Sequence, residues 1–167
     1  MADIERVLSD SLNSFRRYYN IETENVLEPF KATATFMSHN EQYYLVKAAK
    51  IADIDSNEYV YFACEDELSN EKLENLCNKA WEDGLSKVVP SYGHRNTDVT
   101  VVLLCNSIPD EVFDSVKKIK KYKSYKFTFY GWSHFKLIAM DVSLKRLTTN
   151  RQGQTLKKVF NNIKNNL

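Results

Sequence analysis

Three groups of residues in this chain have the types and spacing to do chemistry. The histidines come first. His39 lies in Ser38-His39-Asn40-Glu41, His94 in Pro90-Ser91-Tyr92-Gly93-His94-Arg95-Asn96-Thr97, and His134 just after Gly131-Trp132-Ser133. Imidazole titrates nearest neutrality, so a histidine on a loop held by a rigid scaffold is placed for proton transfer or metal ligation. The His94 segment is the richest, because His94, Arg95, Asn96 and Thr97 gather several polar groups just before an apolar run, where ligand sites often lie. The plainer account is that each histidine is a turn residue, solvated or bonded to backbone. Spacing alone does not say whether the three converge.

The second group is an acidic turn, Asp53, Asp55 and Glu58, with Lys47 upstream. Hard carboxylate oxygens are what Mg²⁺ takes, and a lysine beside them would act on a phosphate. The third group is basic. Lys117 to Lys136 holds seven lysines and no acid, interleaved with Tyr122, Tyr125, Phe127, Phe129, Tyr130 and Trp132, whereas Asp53 to Glu74 holds eight acids against Lys72 alone. Lysines tracking a phosphate backbone beside rings that stack on bases make a nucleic-acid surface, with Lys120, Lys121, Lys123 and Lys126 at its centre. The plainer account has the first lysines closing a helix, where they meet its dipole, and the next guarding an exposed strand. On that account the acidic block faces the basic one across the fold, and a chain of net charge +1 favours it. A smaller anion site is offered by Thr149-Asn150-Arg151-Gln152-Gly153, where free N–H groups at a helix start would be assisted by Arg151.

The motifs by which many enzymes declare themselves are absent: no G-x-G-x-x-G, Walker A, G-x-S-x-G, H-E-x-x-H or EF-hand loop occurs. No cofactor is indicated, apart from Mg²⁺ should the acidic turn bind metal. Cys64, Cys77 and Cys105 are an odd number, widely spaced, with no C-x-x-C, and each lies in an apolar periodic segment. They read as buried, reduced thiols of a cytoplasmic protein. Neither a signal peptide nor a stretch of about 20 apolar residues is present, so no membrane partner is expected.

The elements that would position these groups follow from periodicity. With 167 residues, 43% hydrophobic and 13% aromatic, the chain has the material for one domain and its core. Ile4, Val7, Leu8, Leu12, Phe15 and Tyr19 predict a helix over 3–19. Alternation predicts strands over 30–37, 43–51 and 58–64, joined as an antiparallel meander. Ser69 or Asn70 caps the next helix, and Gly84 suits the left-handed position that ends it. Val99–Cys105 reads as a strand covered on both faces. Pro109 opens a short helix, 125–130 and 134–142 form a hairpin, an extended piece lies near Leu147, and a last helix spans 154–167. The order is α-β-β-β-α-β-α-β-β-α, an α+β fold with a mixed, mostly antiparallel sheet and helices packed on it.

Several segments together carry a resemblance: Tyr44-Leu45-Val46-Lys47-Ala48-Ala49-Lys50, Asn57-Glu58-Tyr59-Val60-Tyr61-Phe62, the Gly84, Pro90, His94 and Thr97 spacing, Tyr122-Lys123-Ser124-Tyr125-Lys126-Phe127 with Tyr130-Gly131-Trp132, and Thr149-Asn150-Arg151-Gln152-Gly153. The set resembles an uncharacterised domain family of clostridia-like gut bacteria, over about residues 30–160. This implies a bacterial cytoplasmic protein and assigns no catalytic residue. The opening order α-β-β-β-α-β is also similar to the core of restriction-endonuclease-like nucleases. Those carry an acid-x-lysine pair on the third strand, where this chain has Glu58-Tyr59-Val60.

The function expected is therefore a binding or interaction module for an anionic ligand, nucleic acid or a protein partner, with homo-oligomerisation left open. The alternative is a metal-dependent phosphodiesterase or nuclease with Asp53, Asp55 and Glu58 as metal ligands and Lys47 beside them.

Overall fold

The apolar run from Val99 to Cys105 needs cover on both faces, and the chain supplies it. In the computed structural model, which describes residues 4–37 and 55–167, the run is the middle of a 14-residue strand, β4 (His94–Ser107), at the centre of a seven-stranded mixed sheet. The other strands are β1 (Asn20–Glu22), β2 (Ala32–Met37), β3 (Asp55–Glu67), β5 (Tyr122–Ser124), β6 (Trp132–Asp141) and β7 (Arg146–Thr149). Their order is β1-β2-β3-β4-β6-β5, and β7 pairs the far end of β6. Four pairs are antiparallel, but the two central ones, β3 with β4 and β4 with β6, are parallel. Parallel neighbours need crossovers, which are α2 (Asn70–Ser86) between β3 and β4 and α3 (Asp110–Lys118) between β4 and β6. The fold is the α+β class expected from the sequence, with the expected order of elements.

Side-chain alternation divides the core into two layers. Tyr59, Tyr61, Val99, Val101, Leu103, Phe135 and Leu137 point to one face, under Leu73, Leu76, Cys77 and Ala80 of α2 and Val112 and Val116 of α3. Val60, Phe62, Val102, Leu104, Ile138 and Met140 point to the other. They meet Val7, Leu8, Leu12 and Phe15 of α1 (Ile4–Phe15) and Phe160 and Ile163 of α4 (Lys157–Asn165). Two buried polar side chains pin the turns. Asp141 accepts from the N–H groups of Ile108 and Leu144 and from Arg146. Asn150 Oδ1 accepts from Leu137 N and Gly153 N, and its Nδ2 donates to the carbonyls of Ile119 and Phe135.

Local geometry departs from the sequence reading at identifiable places. The expected meander is corrected, because β2 pairs directly with β3, Ala34 opposite Val60; the segment 43–51 lies outside the described residues. Gly84 does not end a helix. It sits inside α2, which runs on to Ser86, and it is there because the helix lies so close to the sheet that a Cβ would fall 2.5 Å from Val99 Cγ2. Residues 125–130 form a turn, the strand of that hairpin being Tyr122–Ser124.

Alanine at position 84 separates the two effects. It gains helix propensity of up to about 1 kcal/mol, yet overpacking against Val99 costs about 1–3 kcal/mol. Gly84→Ala is expected to lower the urea midpoint with the m-value unchanged; a raised midpoint would show that β4 yields freely.

Candidate functional site

The helices cover the sheet only in part. At the end where β3, β4 and β6 begin, the face under α1 and α4 continues as polar residues, two apart along each strand: Ser56 and Glu58 on β3, Asn96, Asp98 and Thr100 on β4, and His134 and Lys136 on β6. Tyr19, just past the end of α1, joins them by donating to Glu58 Oε2 at 2.5 Å. Glu58 Oε1 accepts from Thr100 Oγ1 at 2.6 Å and from Lys136 Nζ at 3.3 Å. The same ammonium lies 2.7 Å from Asp98 Oδ2, and Ser56 donates to Asn96. The side chains of Glu58, Asp98 and Lys136 are 12%, 17% and 17% exposed, so water screens them weakly. Burial works against the Lys136 charge, but the carboxylates of Glu58 and Asp98 outweigh it and raise the ammonium's pKa above its ordinary value. Burial, then Glu58, raises the Tyr19 phenol well above its usual range, keeping it a donor.

Glu58 was read from the sequence as a metal ligand, and both its oxygens are engaged by protein donors. The Lys136 ammonium stands between Glu58 and Asp98 where a divalent cation would have to sit. Among the described residues no group of three metal-ligating side chains converges. Asp53, Lys47 and His39 lie outside the described residues, and Asp55 is described only through its backbone, as the start of β3. Asp98, Thr100 and Tyr19 escaped the sequence reading as site residues, and Lys136 entered it only as the last lysine of the basic stretch. Their signal was polar residues at period two running into the apolar strands; Tyr19 looked like one more member of an apolar stripe.

The second feature is the hairpin that continues β5 and β6 past this end of the sheet. Its tip winds left-handed through three consecutive non-glycine residues, Lys126 (φ 45°), Phe127 (φ 53°) and Thr128 (φ 74°). Each such residue costs about 1–2 kcal/mol. The bonds Tyr125 N to Gly131 O, Tyr130 N to Tyr125 O, Phe129 N to Lys126 O and Gly131 N to Thr128 O hold it closed. This conformation sends two phenylalanines into solvent, Phe127 at 92% and Phe129 at 75% exposure. Tyr92, 87% exposed, packs edge-on to Tyr130 and extends the aromatic surface. Lys126 lies over the Tyr130 ring, Lys123 over Tyr125, and Lys120 is exposed. None of these three lysines pairs with a carboxylate among the described residues. Lys121 instead reaches back to Asn78 of α2 at 2.6 Å.

His94 explains why the hairpin stands where it does. The expected loop His94-Arg95-Asn96-Thr97 is the first part of β4, since β3 reaches back to Asp55 and gives those residues a partner. His94 is buried, with Nδ1 2.7 Å from the Tyr130 carbonyl oxygen and Nε2 2.9 Å from Thr97 Oγ1. Both ring nitrogens are thereby used within the protein, and the ring also packs edge-on to Tyr125. The approach demands Gly131: at φ 81°, a Cβ there would fall 2.6 Å from His94 Nδ1 and against the Arg95 carbonyl. Arg95 is exposed at the neck of the hairpin. His134 is on the opposite face, its ring against Tyr122 at 5.2 Å, so these two histidines do not converge.

The remaining anion candidate is Arg151. It is exposed, but the Gly153 N–H beside it is taken by Asn150 Oδ1 at 2.8 Å, and the turn it opens is a five-residue 3-10 helix (Gln152–Leu156). Two recesses lie away from all these residues. One, of about 260 Å³, is bounded by Pro29, Glu65 and Lys72, and the other is an open groove between α1 and α4.

A family model described as a domain of unknown function, DUF8052, matches residues 3–162, and the chain belongs to that family. No curated protein and no solved structure matches it. No helix among the described residues is long and apolar enough to cross a membrane.

The charge cluster makes its own prediction. Replacing Lys136 with Met leaves Glu58 and Asp98 facing each other half-buried, at a cost of about 3 kcal/mol at pH 7. Acid removes that repulsion between like charges, so the variant regains stability as pH falls. Urea midpoints should show Lys136→Met far below wild type at pH 7 and partly recovered near pH 5. Equal losses at both pH values would mean that packing, not charge, is what the lysine contributes.

Proposed function

We propose that this domain is a non-catalytic binding module that holds an anionic partner on the tip of the β5–β6 hairpin. One observation carries the reading: Phe127 and Phe129 are held out in solvent by a strained turn, amid lysines that no carboxylate among the described residues neutralises. Strain of this kind persists where surrounding structure over-determines it, and it concentrates at sites that meet ligands. The metal-dependent phosphodiesterase stands second, because Glu58, its one ligand described in full, is already bonded to Tyr19, Thr100 and Lys136.

On the same reading we place the chain as a single-domain cytoplasmic protein of clostridia-like gut bacteria. Three free thiols, two of them buried, suit a reducing compartment.

Charge reversal tests the module. Lys120→Glu, Lys123→Glu and Lys126→Glu together are expected to abolish retention on immobilised heparin at physiological salt. A control with Lys31, Lys79 and Lys158 reversed carries the same net charge and should be retained like wild type, with elution moving to lower salt only modestly. Identical elution of the two triple variants would sink the reading, since retention would then follow net charge alone.

A further inference from the structure

We infer that the partner is single-stranded nucleic acid, its bases stacked on Phe127 and Phe129 and its phosphates met by Lys120, Lys123, Lys126 and Arg95. This rests on the proposed anion-binding role of the hairpin and narrows it by chemistry. The tip displays two exposed phenylalanines, Phe127 and Phe129, which offer no hydrogen bond. A small anion needs donors converging on a recess, and the two recesses described above are not lined by the hairpin. An acidic protein segment would satisfy the lysines but gives two flat rings nothing specific to stack on. Duplex nucleic acid has the charge, yet its base faces are already stacked on one another. Only an unpaired strand presents a phosphate and an open base face at each step, which is the pairing of groups that the tip displays.

The platform is also built in advance of any ligand. Four backbone hydrogen bonds close the turn, the His94 ring bonds to the Tyr130 carbonyl, and the neck fits against β4 only because Gly131 has no side chain. A rigid platform loses little conformational freedom on binding. The electrostatics agree. The acids Glu65, Asp66 and Glu67 lie at the far end of β3, where Glu65 is level with Cys105 of β4, whereas the hairpin leaves the sheet level with Asn96. At about 3.3 Å per residue that separation is roughly 30 Å, several times the screening length of about 8 Å at physiological salt. Those three acids therefore do not neutralise the tip, and at the hairpin's own end of the sheet Glu58 and Asp98 are paired with Lys136.

The test is fluorescence anisotropy with a labelled mixed-sequence strand of about twelve nucleotides, its duplex, a heparin fragment and vesicles containing anionic lipid. The single strand should bind more tightly than the others. Phe127→Ala and Phe129→Ala should each weaken it about tenfold, the loss of one stacked base, without altering the salt dependence. Phe127→Trp should bind at least as well as wild type, which guards against a variant that merely misfolds. Heparin binding as tight as the single strand, with both alanine variants unchanged, would overturn the nucleic-acid inference and leave the anion-binding module standing. Preference for the duplex, or ring-dependent binding to the vesicles, would overturn it as well. Failure to bind any anion would remove both.

Discussion

The burial of β4 is the constraint on which the rest of this structure depends. Its middle residues, Val99 and Val101 to Cys105, are shielded from solvent, and both neighbours are parallel to it. A strand in that position cannot leave either face bare, so the chain must place helices on both, and parallel pairing dictates where they come in sequence. The close seat of α2, bought with a glycine in mid-helix at position 84, follows from the same demand. So does the choice of polar anchors. Asp141 and Asn150 are buried at turns where backbone groups would otherwise lack partners.

Where the helical cover stops, the strands change chemistry without changing register. Glu58, Asp98 and Lys136 occupy positions on the same face as Val60, Val102 and Ile138 further along. Three charges so little exposed are tolerated because they satisfy one another and because Tyr19 and Thr100 occupy the remaining acceptors of Glu58. A cluster built in this way resists an incoming cation, since the ammonium would have to be displaced and left unpaired in a weakly screened place. The outward-facing chemistry is left to the hairpin.

Much of this was legible in the sequence, and the failures have physical causes. Val99–Cys105 announced a two-sided strand because a run of seven residues, apolar but for Thr100, admits little else at that length. The helix after Ser69 was visible from its stripe, though it was expected to end at Gly84 and runs to Ser86, and Ser69 does cap it through Lys72 N. Gly84 misled because its usual role, freedom at positive φ, was not the one in use; closeness to Val99 is invisible until the helix is docked. His94 was singled out as a loop residue and proved to be a strand residue with both nitrogens taken, since tertiary pairing with β3 extended the ladder beyond the apolar run. The meeting of Glu58 with Asp98 and Lys136 joins residues 40 and 78 positions apart and has no local signature at all.

The lysine-rich stretch shows why a whole-chain charge is a poor guide to a surface. A net charge of +1 spoke against nucleic acid, and a neutral protein with evenly mixed charges would indeed repel and attract a polyanion about equally. This fold instead sets Glu65, Asp66 and Glu67 at the end of β3 far from the hairpin and pairs Glu58 and Asp98, at the near end, with Lys136, and screening makes the field at each end a local matter. Within the basic end the fold sorts the lysines again. Lys136 is spent on the sheet face and Lys121 on α2, while Lys123 and Lys126 lie over tyrosine rings that keep them beside the exposed phenylalanines. Cation and aromatic are thereby held side by side on one rigid turn. A strand edge protected only against aggregation would need the lysines and not the rings, and it would have no reason to wind three residues left-handed to expose Phe127.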